Sequence, residues 1–75
     1  MNELKKVKRF ARREGYADVK FIMEWKGMRC YDPQYKNGLA PRTGFPYFIL
    51  VDPESGEIRL TDDDETFEIY DMVTQ

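Results

Sequence analysis

The sequence predicts an α+β fold with an N-terminal helix, a four-stranded antiparallel sheet of two hairpins and a short C-terminal helix, all within a single domain of residues 1–75. Three observations predict this fold. Apolar residues recur at helical spacing near both ends of the chain, they alternate or run together in the middle, and turn-forming residues separate these segments. Consecutive antiparallel strands usually lie side by side, so the expected strand order is a meander.

Length and composition exclude several classes of function. A chain of 75 residues holds one core, and the absence of histidine excludes histidine-based triads and zinc sites. The single cysteine, Cys30, excludes an internal disulfide and fits a reducing compartment, which predicts a cytoplasmic location. No stretch approaches the roughly 20 apolar residues of a membrane span. We recognise no nucleophile–base set, glycine-rich phosphate loop or paired-carboxylate motif, so we expect no enzyme activity, no cofactor and no catalytic or metal-binding residues.

Residues 2–14 are predicted to form an amphipathic helix. At about 100° per residue, its apolar side chains fall within an arc of about 120°, and lysines and arginines occupy the rest of the circumference. The apolar set is Leu4, Val7, Phe10 and Ala11. Gly15 follows the last helical turn, where its tolerance of positive φ favours the end of a helix.

Residues 18–32 are predicted to form a hairpin around a two-residue turn at Lys26-Gly27. Alternation along the first strand places its apolar side chains on one side of the sheet: Val19, Phe21, Met23 and Trp25. The turn sets a register that pairs Trp25 with Met28, Glu24 with Arg29, Met23 with Cys30, and Ile22 with Tyr31. Each pair is chemically compatible, and Cys30 is expected to be a small buried side chain rather than a nucleophile.

Residues 33–46 are predicted to form a long loop, because prolines and glycines interrupt every regular pattern there. The loop carries aromatic and basic side chains: Tyr35, Lys36, Arg42 and Phe45. Residues 47–51 are then expected to form an apolar strand, residues 52–56 a turn, and residues 57–61 a returning strand. Because the first of these strands is apolar on both sides, it is expected to be central or covered on both faces.

Residues 62–73 are predicted to form the second helix, with a strand over residues 66–73 as the alternative. Asp62 with Glu65, or Thr61 with Asp64, has the spacing of a capping box. Acidic residues 62–65 also complement the positive end of the helix dipole, which accounts for this cluster without a bound cation. Apolar side chains gather on one side of the helix: Phe67, Ile69, Tyr70 and Val73.

A series of short motifs runs along the chain. They are Trp25-Lys26-Gly27 with Tyr31 and Pro33, then Gly44, Pro46 and Ile49-Leu50-Val51, then Gly56-Glu57-Ile58-Arg59 ahead of an acidic final segment. This layout, which covers most of the chain, resembles that of small uncharacterised bacterial proteins with no established activity. The resemblance implies a bacterial origin and a final helix, and it assigns no functional residues.

Charge is divided between the two halves of the chain. Residues 1–44 hold eleven Lys/Arg and five Asp/Glu, whereas residues 45–75 hold one Lys/Arg and nine Asp/Glu. The resulting net charges of +6 and −8 predict two oppositely charged surfaces, with three alternatives for what they attract: each other within the molecule, other copies, or other partners.

The first functional hypothesis is a small non-enzymatic protein-interaction or regulatory module. It would bind a protein partner, or a second copy in a homodimer, through the charged surfaces and an apolar sheet face. If both helices pack on one face of the sheet, the other face exposes a candidate partner surface. That surface consists of Ile22, Tyr31, Phe48 and Leu50.

The alternative hypothesis is an accessory nucleic-acid-binding protein that uses the loop of residues 33–46 and the basic helix. Its candidate contacts to anions are Lys5, Lys6, Arg9, Arg12 and Arg13. A simpler interpretation of the basic helix is a solvated face that keeps the domain soluble. The pI near 5.1 also argues against a dedicated nucleic-acid binder, for which a strongly basic pI is typical.

Overall fold

The computed structural model describes residues 3–35 and 47–73 of the chain. The elements are helix α1 (Glu3–Arg13), strands β1 (Asp18–Trp25), β2 (Met28–Gln34), β3 (Ile49–Val51) and β4 (Ile58–Leu60), and helix α2 (Asp63–Val73). The strands form one antiparallel sheet in the order β1-β2-β3-β4, which confirms the predicted α+β fold and the meander. The predicted loop begins later than expected, because β2 continues through Gln34. Residue 2 of the predicted first helix and residues 36–46 of the predicted loop lie outside the described residues.

Helix α1 ends at the predicted glycine. Gly15 has a φ of 95° and donates its N–H to the Arg12 carbonyl at 3.1 Å, while the Tyr16 N–H reaches the Ala11 carbonyl at 2.9 Å. These two bonds form a Schellman motif, which satisfies carbonyls that the helix end leaves without partners.

Helix α2 begins with the predicted capping box. The Asp62 carboxylate accepts the Glu65 N–H at 2.8 Å, and the Glu65 carboxylate accepts the Asp62 N–H at 3.0 Å. Thr66 and Ile69 are buried, which is the spacing of three residues that one helix face requires. The cap and this spacing favour the helix over the alternative strand at residues 66–73.

A β-bulge in β1 changes which side of the sheet its residues face. The register matches the prediction from Trp25 to Met23, but Phe21 rather than Ile22 lies opposite Tyr31. Ile22 is the extra residue of the bulge. Phe21 and Met23, which regular alternation would place on the same face, therefore point to opposite faces of the sheet. Val19 accordingly packs with α1, whereas Trp25 packs in the cluster that contains α2. The prediction that the four alternating apolar residues share one side was therefore wrong.

The two helices cover opposite faces of the sheet. Successive residues of a strand point to opposite faces. Along β3, Ile49 and Val51 pack with Val7 of α1, whereas Leu50 packs with Ile69 of α2. This arrangement confirms that the strand is covered on both faces.

The prediction of an exposed partner surface was wrong, because it required one face of the sheet to be uncovered. The exposed fractions of Tyr31, Phe48 and Leu50 are only 5%, 4% and 1%, and Ile22 is half-buried. Tyr31 also faces α1, while the other three pack on the side of α2. These residues therefore form parts of two cores rather than one binding surface.

Deleting Ile22 should cost about as little stability as the substitution Ile22→Ala. The residues on either side of Ile22 already lie opposite adjacent residues of β2, so the deletion closes the bulge and leaves the register and the faces of β1 unchanged. Both changes remove the half-buried Ile22 side chain, so each should cost about 1–2 kcal/mol of the free energy of unfolding. Deletion of the exposed Lys20 is the control, because it turns the buried Val19 to the opposite face and should cost more than about 3 kcal/mol. Urea unfolding followed by Trp25 fluorescence measures these losses, and an Ile22 deletion as costly as the Lys20 deletion would contradict the role assigned to the bulge.

Candidate interaction surfaces

Helix α1 is fixed to the sheet by a carboxylate in its first turn. Glu3 accepts hydrogen bonds from the guanidinium of Arg29 at 2.5 Å and from the hydroxyl of Tyr31 at 2.7 Å. Glu24 lies opposite Arg29 as predicted, but the Arg29 side chain bonds to Glu3. Burial and the bond to Glu3 raise the pKa of Tyr31 to about 12, so its hydroxyl remains a donor at neutral pH. These bonds, together with the buried Val7, orient the helix and determine which of its sides faces solvent.

The outward side of α1 is cationic along its whole length. At about 100° per residue, its six basic side chains span an arc of about 160° opposite the buried residues. We call this surface the cationic face, and it consists of Lys5, Lys6, Lys8, Arg9, Arg12 and Arg13. The structure thus brings together all five predicted anion contacts and adds Lys8.

Four of the six cations of this face form no ion pair within the described residues. Lys8 lies 3.7 Å from Asp18, at the side of the helix that adjoins β1. Over residues 3–35 and 47–73, no carboxylate forms an ion pair with the remaining members Lys6, Arg9, Arg12 and Arg13. Their charges are therefore available to an anionic partner.

A groove separates the cationic face from the turn between β3 and β4. It has a volume of about 400 Å³, and Lys6, Arg9 and Arg13 line its helical wall. Phe10, Gly56 and Ile58 complete its lining. Sequence reasoning missed this groove, because the turn and the helix are more than forty residues apart and no local pattern connects them.

Three carboxylates at the start of α2, those of Asp62, Asp63 and Glu65, bond to their own chain. The guanidinium of Arg59 donates two hydrogen bonds to Glu65, at 2.7 and 2.8 Å. These bonds lower the pKa of Glu65 to about 2, with a further contribution from the Asp62 N–H. Asp63 accepts a hydrogen bond from the Tyr47 hydroxyl at 2.8 Å. The reciprocal Asp62–Glu65 bonds agree with the prediction that the acidic cluster caps the helix.

The outward side of α2 carries a line of carboxylates. We call Asp64, Glu68 and Asp71 the acidic row, because their spacing of four and three residues places them along one side of the helix. Phe67 and Met72 flank the row and are 53% and 50% exposed. Lys26 lies 3.3 Å from Glu68 and 4.8 Å from the centre of the Trp25 ring. Such an exposed ion pair is weak and exchanges readily with other partners.

The division of charge along the sequence is also a division in space. Helix α1 carries six Lys/Arg and one Glu, whereas α2 carries five Asp/Glu and no basic residue. The helices lie on opposite faces, and the smallest principal extent of the molecule is 18 Å. Because the Debye length is about 8 Å at physiological ionic strength, each face acts on a partner nearly independently of the other.

Chemical reactivity is suppressed at the lone cysteine. Cys30 is fully buried between β1 and β3, and burial, aided by Asp32, raises the pKa of its thiol to about 12. The thiolate that acts as a nucleophile is therefore scarce at neutral pH. Within the described part of the chain, no cluster of three or more Cys, Asp or Glu residues is arranged to hold a metal ion.

The chain has no significant match among protein-family models, curated proteins or solved structures. Neither α1 nor α2, the helices of the described residues, is long and apolar enough to cross a membrane. The predicted contacts from Lys36, Arg42 and Phe45 lie outside the described residues. Among the described residues, the cationic face of α1 is the best-defined candidate binding surface.

The substitution Glu65→Gln should lower stability at neutral pH but not in strong acid. The folded pKa of about 2 lies below the ordinary value of 4.5, so ionised Glu65 stabilises the fold above about pH 5, and this contribution is lost as the pH falls towards 2. We expect a loss of about 1–2 kcal/mol at pH 7 that disappears near pH 2. Denaturant unfolding of both proteins from pH 7 to pH 2 measures this difference.

The substitution Glu54→Gln provides the control. Glu54 is an exposed residue of the β3–β4 turn, and its replacement should change stability by less than about 0.5 kcal/mol at every pH. A loss in Glu65→Gln that persists at pH 2 would show that its ionised bond to Arg59 is not the cause.

Proposed function

We propose that this protein is a small non-enzymatic interaction module whose cationic face binds an acidic surface of a partner protein. The observation that carries the proposal is the contrast between paired and unpaired cations. Arg29 and Arg59 each bond to a carboxylate of their own chain, whereas Lys6, Arg9, Arg12 and Arg13 form no such pair within the described residues. A row of uncompensated charges on a rigid helix attracts and orients a partner of opposite charge.

The architecture favours α1 rather than the sheet as the binding surface. Both sheet faces are covered, so an apolar sheet face is not part of the proposal. Val7 and Ala11 pack α1 against the sheet, and Glu3 bonds its first turn to β2. The exposed cations therefore bind from a preformed backbone, and binding orders only their side chains.

The proposal includes a bacterial, cytoplasmic protein without catalytic activity. The bacterial origin is supported by the motif resemblance, and the location by the single cysteine, since free thiols persist in reducing compartments. The absence of activity is supported by the protonated, buried state of Cys30 and by the structural use of Glu65 and Asp62.

Reversing charge on α1 should abolish partner capture. The variant Arg9→Glu/Arg12→Glu removes two unpaired cations without touching the core, so it should fold normally and lose the partners that the wild type retains. Affinity capture from a bacterial lysate, quantified by mass spectrometry, compares the recovered proteins. Circular dichroism confirms that the variant is folded.

The matched control is Lys20→Glu/Lys26→Glu. It changes the net charge by the same amount, but Lys26 contacts α2 and strand alternation points Lys20 to the side of α2. This variant should keep the partners. Identical recovery by all three proteins, or the lack of any specifically retained protein, would refute the proposal.

Nucleic-acid binding is the second candidate function, and the linear arrangement of the same cations favours it. Lys5, Arg9 and Arg12 follow one side of α1 at spacings of four and three residues, which suits contacts along a phosphate backbone. The acidic α2 lies on the opposite face, so screening limits its repulsion of a polyanion. No base-reading element is identified on α1, so such binding would not depend on sequence.

If the second candidate holds, a DNA duplex should bind weakly and with strong salt dependence. About four phosphate contacts predict a loss of affinity of roughly a hundredfold between 50 and 200 mM salt. Fluorescence anisotropy with a labelled duplex measures this slope, and Arg9→Glu/Arg12→Glu should remove binding. No binding at low salt would reject the candidate and leave the protein-interaction proposal as the only one.

A further inference from the structure

The two helices carry matching charge patterns on opposite sides of the molecule. On α1, Lys5, Arg9 and Arg12 are separated by four and three residues, and we call them the cationic row. The acidic row of Asp64, Glu68 and Asp71 has the same separation. Each row therefore extends over about 10 Å of its helix, and its three charges lie along one side.

We propose that the protein associates head-to-tail with copies of itself, the cationic row of one molecule binding the acidic row of the next. This inference rests on the proposed function and names a second copy as the acidic partner. The spacings coincide when the two helices run parallel, so that each cation faces one carboxylate. When the helices run antiparallel, the middle pair is offset by about 1.5 Å along the axis, which the long lysine and arginine side chains can span.

The surroundings of the acidic row suit arginine and lysine side chains. Phe67 and Met72, each about half exposed, lie on either side of the carboxylates. Guanidinium groups pack on aromatic rings, and the aliphatic parts of lysine and arginine cover apolar side chains. The acidic row thus combines opposite charge with apolar flanks, which favours Arg9 and Arg12 as its occupants.

The placement of the rows determines the form of the assembly. A two-fold dimer through α1 would bring two cationic faces together, and one through α2 would bring two acidic rows together, so like charges oppose both. The head-to-tail contact uses different surfaces on opposite faces, and each added copy leaves one row of each kind open. The assembly is therefore an open chain of copies rather than the homodimer that the sequence suggested.

The contact is small and should be weak. Two packed 11-residue helices are each about 16 Å long. The surface area that such a contact buries is smaller than that of a standard stable protein–protein interface. Its strength depends on exposed charge pairs, which salt screens. Association should therefore appear at about 0.5 mM protein and about 20 mM salt, and vanish at about 500 mM salt.

Sedimentation equilibrium of the wild type and two charge-reversal variants tests the proposal. Arg9→Glu/Arg12→Glu alters the cationic row, and Glu68→Lys/Asp71→Lys alters the acidic row while placing favourable positive charge near the C-terminus of α2. The wild type should show a mass that rises with concentration at low salt. Each variant alone should remain monomeric, because each has lost one of the two complementary surfaces.

An equimolar mixture of the two variants gives the sharpest result. The intact acidic row of one variant should bind the intact cationic row of the other, and the mass should stop at that of a 1:1 pair. A monomeric wild type at low salt, a variant that still associates alone, or a monomeric mixture of folded variants would each overturn the proposal. If Arg9→Glu/Arg12→Glu nevertheless abolishes capture of other proteins, the proposed function stands and only the choice of a second copy is refuted.

Discussion

The fold depends on the burial of a short central strand from both sides. All three residues of β3 are at most 2% exposed, with Ile49 and Val51 under α1 and Leu50 under α2. A single strand thus contributes side chains to both cores, and each buried side chain contributes about 1.5–3 kcal/mol of favourable transfer free energy. Because each face needs its own cover, the two helices must lie on opposite sides of the sheet.

That requirement has an electrostatic consequence. The helix that covers one face is basic and the helix that covers the other is acidic, so the packing that buries β3 also separates the charges. On the acidic side, carboxylates bind their own chain through the Asp62 cap and the Glu65–Arg59 pair. On the basic side, Arg9, Arg12 and Arg13 make no ion pair within the described residues. The carboxylates Asp62 and Glu65 at the start of α2 are therefore satisfied internally, whereas α1 is open to anions.

Two local devices make this arrangement possible. The bulge at Ile22 lets one strand supply Val19 to the first core and Trp25 to the second. Glu3 then connects the first turn of α1 to β2, through Arg29 and Tyr31. Neither device adds a binding group, but together they decide which side of each helix faces solvent and hence where the charged surfaces lie.

The helices, the strands, their order and the helix caps could be predicted from the amino-acid sequence alone, because they depend on neighbours within a few residues. Gly15 and the Asp62–Glu65 box act locally, and the Lys26-Gly27 turn sets the hairpin register. The face that each helix covers depends on contacts between segments far apart in the chain, and the face to which each half of β1 points depends on a bulge without a distinct sequence signal, so neither could be predicted. Leu50 is predicted to be exposed only if both helices pack on one side of the sheet, and because they pack on opposite sides it lies in a core. The predicted position of the cations of α1 depends only on their own helix, and they lie on the surface as predicted.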